Sequence, residues 1–335
     1  MFLSGIYVIK IPMTTKNKLL EILNKNKEVF VSGQEIAEQL NISRTAVWKA
    51  IKTLKDDGYK IESVRNNGYK LSSANNILSD IEIKNNLLSK YKNFDIKIFK
   101  VTDSTNKQAK KLIAENLFDN GTTLIADEQT DGKGRFGRSF FSPKSTGIYL
   151  STIIKMPLKL QDISLVTIIS ALAVCRAVKK LTKAKPQIKW INDIYINGKK
   201  VCGILTEAVS SFETKTADAV VAGIGVNLKT NFFPEELREK AGCVSNENIS
   251  RNVFAAEILN NLFSLAENIY DKQIIEEYKN LSLVLNKEIK FLSDDTVITA
   301  KAADINDKGN LIVKLSDGKT AVLESGEISI RRLKD

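Results

Sequence analysis

Within the first 72 residues the spacing of apolar side chains changes from a helical period to an alternating one, and the change falls at Gly58. Before it, Leu19, Leu20, Ile22 and Leu23 form a helical stripe over residues 15–29. Ser32-Gly33-Gln34-Glu35 is a capping box, in which Ser and Glu side chains satisfy helix-start donors reciprocally, and it predicts a short helix carrying Ile36, Ala37 and Leu40. Asn41-Ile42 is a tight turn. Ser43 then caps a second helix with Ala46, Val47, Ala50, Ile51 and Leu54 on its apolar side, ended by Asp57-Gly58. After Gly58, residues 59–64 and 68–71 alternate around Arg65-Asn66-Asn67-Gly68, where Asn-Gly marks a hairpin. Two short helices joined by a tight turn and followed by a hairpin make a winged helix-turn-helix.

Residues 43–70 carry seven cations, Arg44, Lys49, Lys52, Lys55, Lys60, Arg65 and Lys70, against Asp56, Asp57 and Glu62. That surplus lies on the elements that face phosphates and the major groove in such a fold, so DNA is the expected partner. Ser43, Arg44 and Thr45 open the second helix, where base-reading side chains lie. Lys49 follows on the same helix and Arg65 sits in the wing. Trp48 is expected to pack against the helices and not to stack on bases.

At 335 residues the chain exceeds one compact core, and two or three domains are expected. Fifty Lys+Arg against 39 Asp+Glu leave a net charge of +11, which favours an anionic partner. Histidine is absent, which excludes Ser-His and Cys-His nucleophiles, His-ligated zinc and imidazole acid–base chemistry. Cys175, Cys202 and Cys243 are scattered and odd in number, as expected of reduced thiols in a cytoplasmic protein. The most apolar stretch, residues 163–175, is interrupted by Ser164, Thr167 and Ser170 and is shorter than the ~18 residues a membrane span requires, so no membrane is expected. Residues 1–13 are read as a non-structural leader, with Met13 an alternative start. The expected layout is a winged helix over 14–72, a linker over 73–80, a central domain over 81–274 and a C-terminal domain over 275–335.

Beyond the linker, one short helix is expected over 77–90. Residues 94–270 mix strands and helices, including a helix opened by a second capping box, Thr105-Asn106-Lys107-Gln108, and a buried helix marked by Leu165, Ile168, Ile169 and Leu172. The fold class is multi-domain α+β, with a mixed central sheet. Three segments carry chemistry. Asp131-Gly-Lys-Gly-Arg-Phe-Gly-Arg138 formally contains the glycine spacing of a dinucleotide loop, but Phe140, Phe141 and Pro143 follow where that fold needs a helix. It is instead a glycine loop interleaved with Lys133, Arg135 and Arg138, suited to close approach of an anionic ligand. Gly318-Lys319-Thr320 lacks the first P-loop glycine and reads as a hairpin turn. Lys189-Trp-Ile-Asn-Asp193 followed by Gly198–Glu207 places charges beside a buried-strand pattern, although Asn192-Asp193 alone is also a common turn. Gly223-Ile-Gly-Val-Asn227 is a strand end with little side-chain bulk, suited to tight packing. From about Glu276 the chain turns strand-like, with turns at residues 294–295, 308–309 and 317–318, which predicts a small all-β barrel.

Taken in order, the winged helix, Asp103-Ser-Thr-Asn106, Glu128-Gln129, Gly132–Arg138, Phe141-Ser-Pro143, Lys189–Asp193, Lys199–Glu207 and Gly223–Asn227 make the chain resemble bacterial biotin protein ligases of the bifunctional type, which also act as biotin operon repressors. The resemblance covers nearly the whole chain. It implies a central class II aminoacyl-tRNA-synthetase-like sheet and an SH3-like C-terminal barrel. It also implies a two-step reaction: biotin and ATP form biotinyl-5′-adenylate and pyrophosphate, and a lysine of the biotin carboxyl carrier protein of acetyl-CoA carboxylase then takes the biotinyl group, releasing AMP. The first nucleophile is an ionised carboxylate and needs no base, so the lack of histidine is no obstacle.

By the same resemblance, Ser104, Thr105, Asn106, Gln129, Lys133, Gly134, Arg135 and Lys200 would bind biotin, while Arg135, Arg138, Lys189, Asn192 and Asp193 would surround the nucleotide. Lys200, Arg135, Lys133 and Asp193 would carry catalysis. Asp193 either orients a cation or deprotonates the incoming lysine, and Thr105 competes between ligand and cap. Mg²⁺ would arrive with the ATP phosphates, and no residue of the protein is assigned as its ligand. Phe232 and Phe233 are candidates to cover adenine. The expected partners are biotin, ATP, the carrier protein and operator DNA, with a homodimer forming when adenylate is bound. Two departures stand out: Lys133 replaces the family's usual arginine and loses its bidentate fork, and Ile191 replaces a usual proline. A lipoate ligase would perform the same chemistry but is disfavoured by the winged helix and the loop.

Overall fold

The Thr14 hydroxyl accepts from the Asn17 amide and caps the first helix, α1 (Thr15–Lys25). Ser32 caps α2 (Gly33–Leu40) and Ser43 caps α3 (Arg44–Asp56), by bonds from the Glu35 and Ala46 amides at 3.0 and 3.1 Å. Both caps fall where the sequence places them. Strands β1 (Ile61–Val64) and β2 (Gly68–Leu71) form the antiparallel wing, and Val31 adds a bridge to Tyr69. Val64 pairs with Gly68, so the loop holds residues 65–67 and the Asn-Gly pair does not form a two-residue turn. Gly68 itself opens β2 at φ +102°, where any Cβ would lie 2.1 Å from the Val31 carbonyl oxygen. Leu19, Leu23, Ile36, Val47, Ile51, Leu54 and Leu71 close the core.

The computed structural model describes residues 14–72, 75–156, 158–210, 216–245, 247, 249–293, 296–326 and 328–330. The leader expected over 1–13 lies outside the described residues. The chain divides into two compact units, residues 1–82 and 83–335. The division falls after the linker expected over 73–80, because Ile77 and Ile81 pack on the winged-helix core. The single helix expected over 77–90 is instead α4 (Asp80–Asn85) and a separate 3-10 turn at Ser89–Tyr91.

The second unit is built on a mixed sheet of β3 (Ile96–Phe99), β4 (Thr123–Ala126), β5 (Ile148–Ile154), β6 (Leu158–Lys159), β7 (Gln187–Lys189), β8 (Asp193–Ile196), β9 (Lys199–Ser210) and β10 (Thr216–Val226). Its order is β3-β4-β5-β10-β9-β8-β7, with β6 also on β10; β3 and β4 are parallel and the other pairings antiparallel. Helix α5 (Thr105–Ala114) packs on β4, β5 and β10. Helix α6 (Ile163–Leu181) packs on β9, β10, α7 (Arg251–Ala266) and α8 (Lys272–Asn280). With its preceding turn, α6 is long and apolar enough to cross a bilayer, but Leu165–Cys175 are buried inside the protein, so it serves as the core helix of this unit. Helix α7 has no counterpart in the sequence reading. Helix α8 extends to Asn280, past the point where strands were expected to begin.

The C-terminal strands are β11 (Glu288–Ser293), β12 (Thr296–Ile305), β13 (Leu311–Leu315), β14 (Thr320–Leu323) and β15 (Ile328–Ile330). They form one antiparallel sheet in the order β14-β13-β12-β11-β15. This sheet belongs to the same compact unit as the mixed sheet. Trp190 Nε1 donates to the Gly309 carbonyl at 2.9 Å and Ser164 Oγ to that of Lys308 at 2.7 Å, which ties the β12–β13 turn to the β7–β8 connection and to α6.

Candidate active site

The predicted second capping box does not form. Ser104, and not Thr105, is the N-cap residue of α5, and its side chain makes no cap bond. Asp103 braces the helix start instead: its carboxylate accepts from the Ser104 amide at 2.7 Å and from Gln108 Nε2 at 2.9 Å. Hydrogen bonds from Gln108 and from that amide hold the Asp103 carboxyl below its ordinary range. This shift of one residue frees Thr105 for another partner. Its amide and hydroxyl both donate to Gln129 Oε1, at 2.8 and 3.1 Å.

A connected polar floor follows. Ser151 Oγ on β5 lies 2.7 Å from Thr105 Oγ1 and 2.6 Å from Asn106 Oδ1. Asn106 Nδ2 donates to the Leu205 carbonyl and to Glu207, while Gln129 Nε2 donates to Ser142 Oγ. Glu207 is also paired with Lys110 at 2.7 Å. Amides satisfied on several sides, Asn106 buried and Gln129 half-buried, are fixed in orientation, which suits recognition of a ring with its own donors and acceptors.

Space for this floor comes from the glycines of β10. A Cβ on Gly223 would lie 2.0 Å from Asn106 Oδ1, and one on Gly225 2.5 Å from the Phe140 ring. The tight packing expected of residues 223–227 is therefore a seat for one floor residue and one aromatic wall residue.

The cations arrive from two directions. Gly134 N donates to the Arg138 carbonyl at 2.7 Å and Phe140 N to that of Gly132 at 2.8 Å, which closes the glycine loop over the sheet. Lys133 pairs with Asp131 at 2.6 Å. Hydrogen bonds from Lys107, then Lys133, hold the exposed Asp131 carboxyl below its ordinary range. Arg135 Nη1 donates to Asn192 Oδ1 at 3.3 Å, and Asn192 Nδ2 donates to the Ile204 carbonyl at 2.9 Å, so Asn192 bridges the loop and β9.

From the sheet side, Lys200 pairs with Asp193 at 2.6 Å. Lys200 and Gly203 both line the cavity although they are three residues apart, a spacing that places side chains on opposite faces of a regular strand. Register explains it. Ile194 pairs with Cys202 but Tyr195 with Lys200, leaving Val201 as the extra residue of a β-bulge that turns Lys200 back towards the cavity.

These elements enclose a cavity of about 570 Å³. Twelve of the residues expected to touch biotin or nucleotide line it: Ser104, Thr105, Asn106, Gln129, Lys133, Gly134, Arg135, Arg138, Lys189, Asn192, Asp193 and Lys200. Among the described residues its lining has six cations, Lys133, Arg135, Arg138, Lys189, Lys200 and Lys240, and one carboxylate, Asp193. Such an excess in a cleft concentrates anions and stabilises developing negative charge. Lys240 and Ala241 were missed by sequence reasoning, for they come from the stretch after Leu228. A parallel bridge between Lys200 and Ala241, with the Lys200 amide bonded to the Lys240 carbonyl, brings them in. Phe232 and Phe233 do not line the cavity: Phe232 is exposed, and Phe233 is buried beside Phe141. Burial pushes the Cys175 thiol up to about 12 and raises that of Cys202 well above its usual value, so both stay protonated.

On the first unit, Arg44, Thr45 and Arg65 line a groove of about 810 Å³ between the start of α2, α3 and the wing. Ser43 and Lys49 are exposed on α3 beside it. Trp48 corrects its expectation: it is 54% exposed in this groove, with Lys52 Nζ 5.8 Å from its ring centroid, because Val47, Ala50 and Ile51 already fill the inward face of α3.

A helix-turn-helix unit joined to a cleft with a hydrogen-bonded polar floor and a cationic rim defines a protein built to hold a small polar ligand beside a polyanion. Comparison with known proteins sharpens this. Residues 98–227 match the biotin/lipoate A/B protein ligase family, residues 15–70 an HTH domain and residues 284–331 the biotin protein ligase C-terminal domain. The chain is 31% identical over 312 residues to the bifunctional ligase/repressor BirA of Bacillus subtilis, covering 91% of this chain and 95% of that one. It is 28% identical over 330 residues to BirA of Escherichia coli, covering 95% and 98%. Its fold matches a biotin protein ligase from Aquifex aeolicus, solved with biotin and ATP, at a TM-score of 0.60 and 28% identity over 71% of this chain and 99% of that one. The chain belongs to the bifunctional biotin protein ligase/repressor family.

Proposed function

We propose that this protein is an ATP-dependent biotin protein ligase that also represses biotin genes. The observation that carries the reading is the cavity itself, where the Thr105–Asn106–Gln129–Ser151 floor lies within reach of Lys200, Arg135 and Lys189. The floor holds the biotin ring system. Lys200 holds the carboxylate, and Arg135, Arg138, Lys189 and Asn192 hold the nucleotide. A biotin carboxylate oxygen forms a bond to the α-phosphorus of ATP as the bond to pyrophosphate breaks. The amine of a carrier-protein lysine then attacks the mixed anhydride carbonyl, losing a proton and releasing AMP. The cations lower the cost of bringing a carboxylate to a polyanion and stabilise the charge that develops. Asp193, paired with Lys200, orients that ammonium, which favours the positioning role over the base role. Lys133 gives charge to the loop without a bidentate fork.

Among the described residues no cluster of three or more His, Cys, Asp or Glu stands together, and the single carboxylate of the cavity lining is already paired. That donor set fits magnesium carried in on the nucleotide phosphates, where it would neutralise charge, and not a cage made by the protein.

Ser43, Arg44, Thr45, Lys49 and Arg65 would meet operator DNA, and adenylate would promote a homodimer that presents two winged helices to two half-sites. The mixed sheet is read as class II aminoacyl-tRNA-synthetase-like. The C-terminal sheet is read as an SH3-like barrel that assists nucleotide or carrier-protein contact. A cytoplasmic location is part of the same reading, supported by the burial of α6 inside the protein.

ATP–pyrophosphate exchange tests the reading. Exchange should require biotin and fall by at least about a hundredfold in Lys200→Ala. Exchange without biotin, or undiminished in that variant, would exclude it.

A further inference from the structure

The first residue of α7 carries a side chain that the cavity does not use. Arg251 is 1% exposed and does not line the cavity. Its Nε donates to the Gly147 carbonyl at 2.8 Å and its Nη1 to Asp127 Oδ1 at 2.6 Å. Asp127 in turn accepts from the Ser145 amide at 3.2 Å and from the Ser145 hydroxyl, which lies 3.3 and 3.1 Å from its two oxygens. Asp127 directly follows β4, and Gly147 directly precedes β5. The intervening residues 128–144 include Gln129, Lys133, Gly134, Arg135, Arg138 and Phe140 of the cavity lining. One buried guanidinium therefore grips both ends of the segment that supplies the glycine loop and one floor amide.

A planar fork reaches a carbonyl and a carboxylate at once in a way an ammonium does not. Two further contacts brace the same base: Tyr149 donates to the Pro143 carbonyl at 2.9 Å, and the Lys229 amide donates to that of Thr146 at 2.8 Å.

We infer that Arg251 and Asp127 are positioning residues that clamp the base of the 128–144 segment, setting Gln129 and the loop in register with the Asn106 floor and thereby setting the affinity for biotin. The inference rests on the reading of the cavity as a biotin site. It is separable from that reading because the clamp also has a readout that needs no activity.

Two variants of the full chain test it, Arg251→Lys and the milder Ser145→Ala. In biotin-dependent pyrophosphate exchange, the biotin KM should rise about tenfold in Arg251→Lys and about threefold in Ser145→Ala, as expected for a displacement of floor groups below 1 Å, and the ATP KM should rise with it, because Arg135 and Arg138 lie on the same segment. In the ligand-free proteins, trypsin should cut after Lys133, Arg135 and Arg138 faster than in the parent by a similar factor. If Arg251→Lys does not fold, Ser145→Ala decides alone. Unchanged KM values for biotin and ATP, or cleavage rates equal to the parent's, would overturn the clamp. If the parent shows no biotin-dependent exchange, the reading of the cavity fails, and the cleavage rates alone decide the clamp.

Discussion

Gly223 shows what a single residue position contributes. Its missing side chain leaves the volume that Asn106 occupies, and Asn106 is held there by Ser151, Leu205 and Glu207. Gly223→Ala should displace the amide and weaken biotin binding by at least about tenfold, consistent with an overpacking cost of about 1–3 kcal/mol. Isothermal titration with biotin measures this directly, and wild-type affinity in the variant would contradict it. Residue types were well legible at this scale. Twelve of the residues expected to hold biotin and nucleotide, from Ser104 to Lys200, share one cavity, because short motifs keep their members near one another along the strand ends, whereas Phe232 and Phe233 lie outside it. Two things were not legible. The bulge at Val201, which turns Lys200 inward, depends on strand register and leaves no mark in composition. The Arg251–Asp127 pair joins residues 124 positions apart, so no local pattern announces it.

At the scale of elements, local chemistry explains both the successes and the misses. Ser32 and Ser43 were placed correctly because each cap bond closes within three residues. Replacing Ser43 by Ala should cost the winged helix about 1 kcal/mol, and Ser43→Asn should restore most of it. Urea unfolding of the first unit, followed by fluorescence of the exposed Trp48, would show the difference. An Ala variant as stable as the parent would mean that the cap contributes nothing. The capping box at Thr105 was misplaced because Asp103, one residue upstream of the Ser104 N-cap, competes for the same helix start, while Gln129, distant in sequence, recruits Thr105. Trp48 was expected inside because large aromatic residues usually are. The inward face of α3 is filled by smaller residues, and the ring remains in the groove beside Arg44 and Arg65. Helix α7 went unrecognised because it is apolar on nearly all sides, with Phe254, Ala255, Ala256, Ile258 and Leu259 all buried, so it shows no amphipathic stripe.

At the scale of the molecule, the change of hydrophobic period at Gly58 and the strand-rich C-terminus marked out the parts, while their exact limits depended on packing. Ile77 and Ile81 belong to the first unit although their neighbours read as a linker, and the C-terminal sheet shares a compact unit with the mixed sheet through Trp190, Ser164 and the β12–β13 turn. The account makes one chain both the maker of an adenylate and its sensor. Fluorescence anisotropy with biotin-gene promoter DNA tests that most directly, using the protein alone, with biotin, with ATP, and with biotin and Mg-ATP together. The predicted result is an affinity that tightens by at least about tenfold only in the last condition, a coupling of about 1.4 kcal/mol or more. Equal affinity in all four would contradict adenylate control of DNA binding.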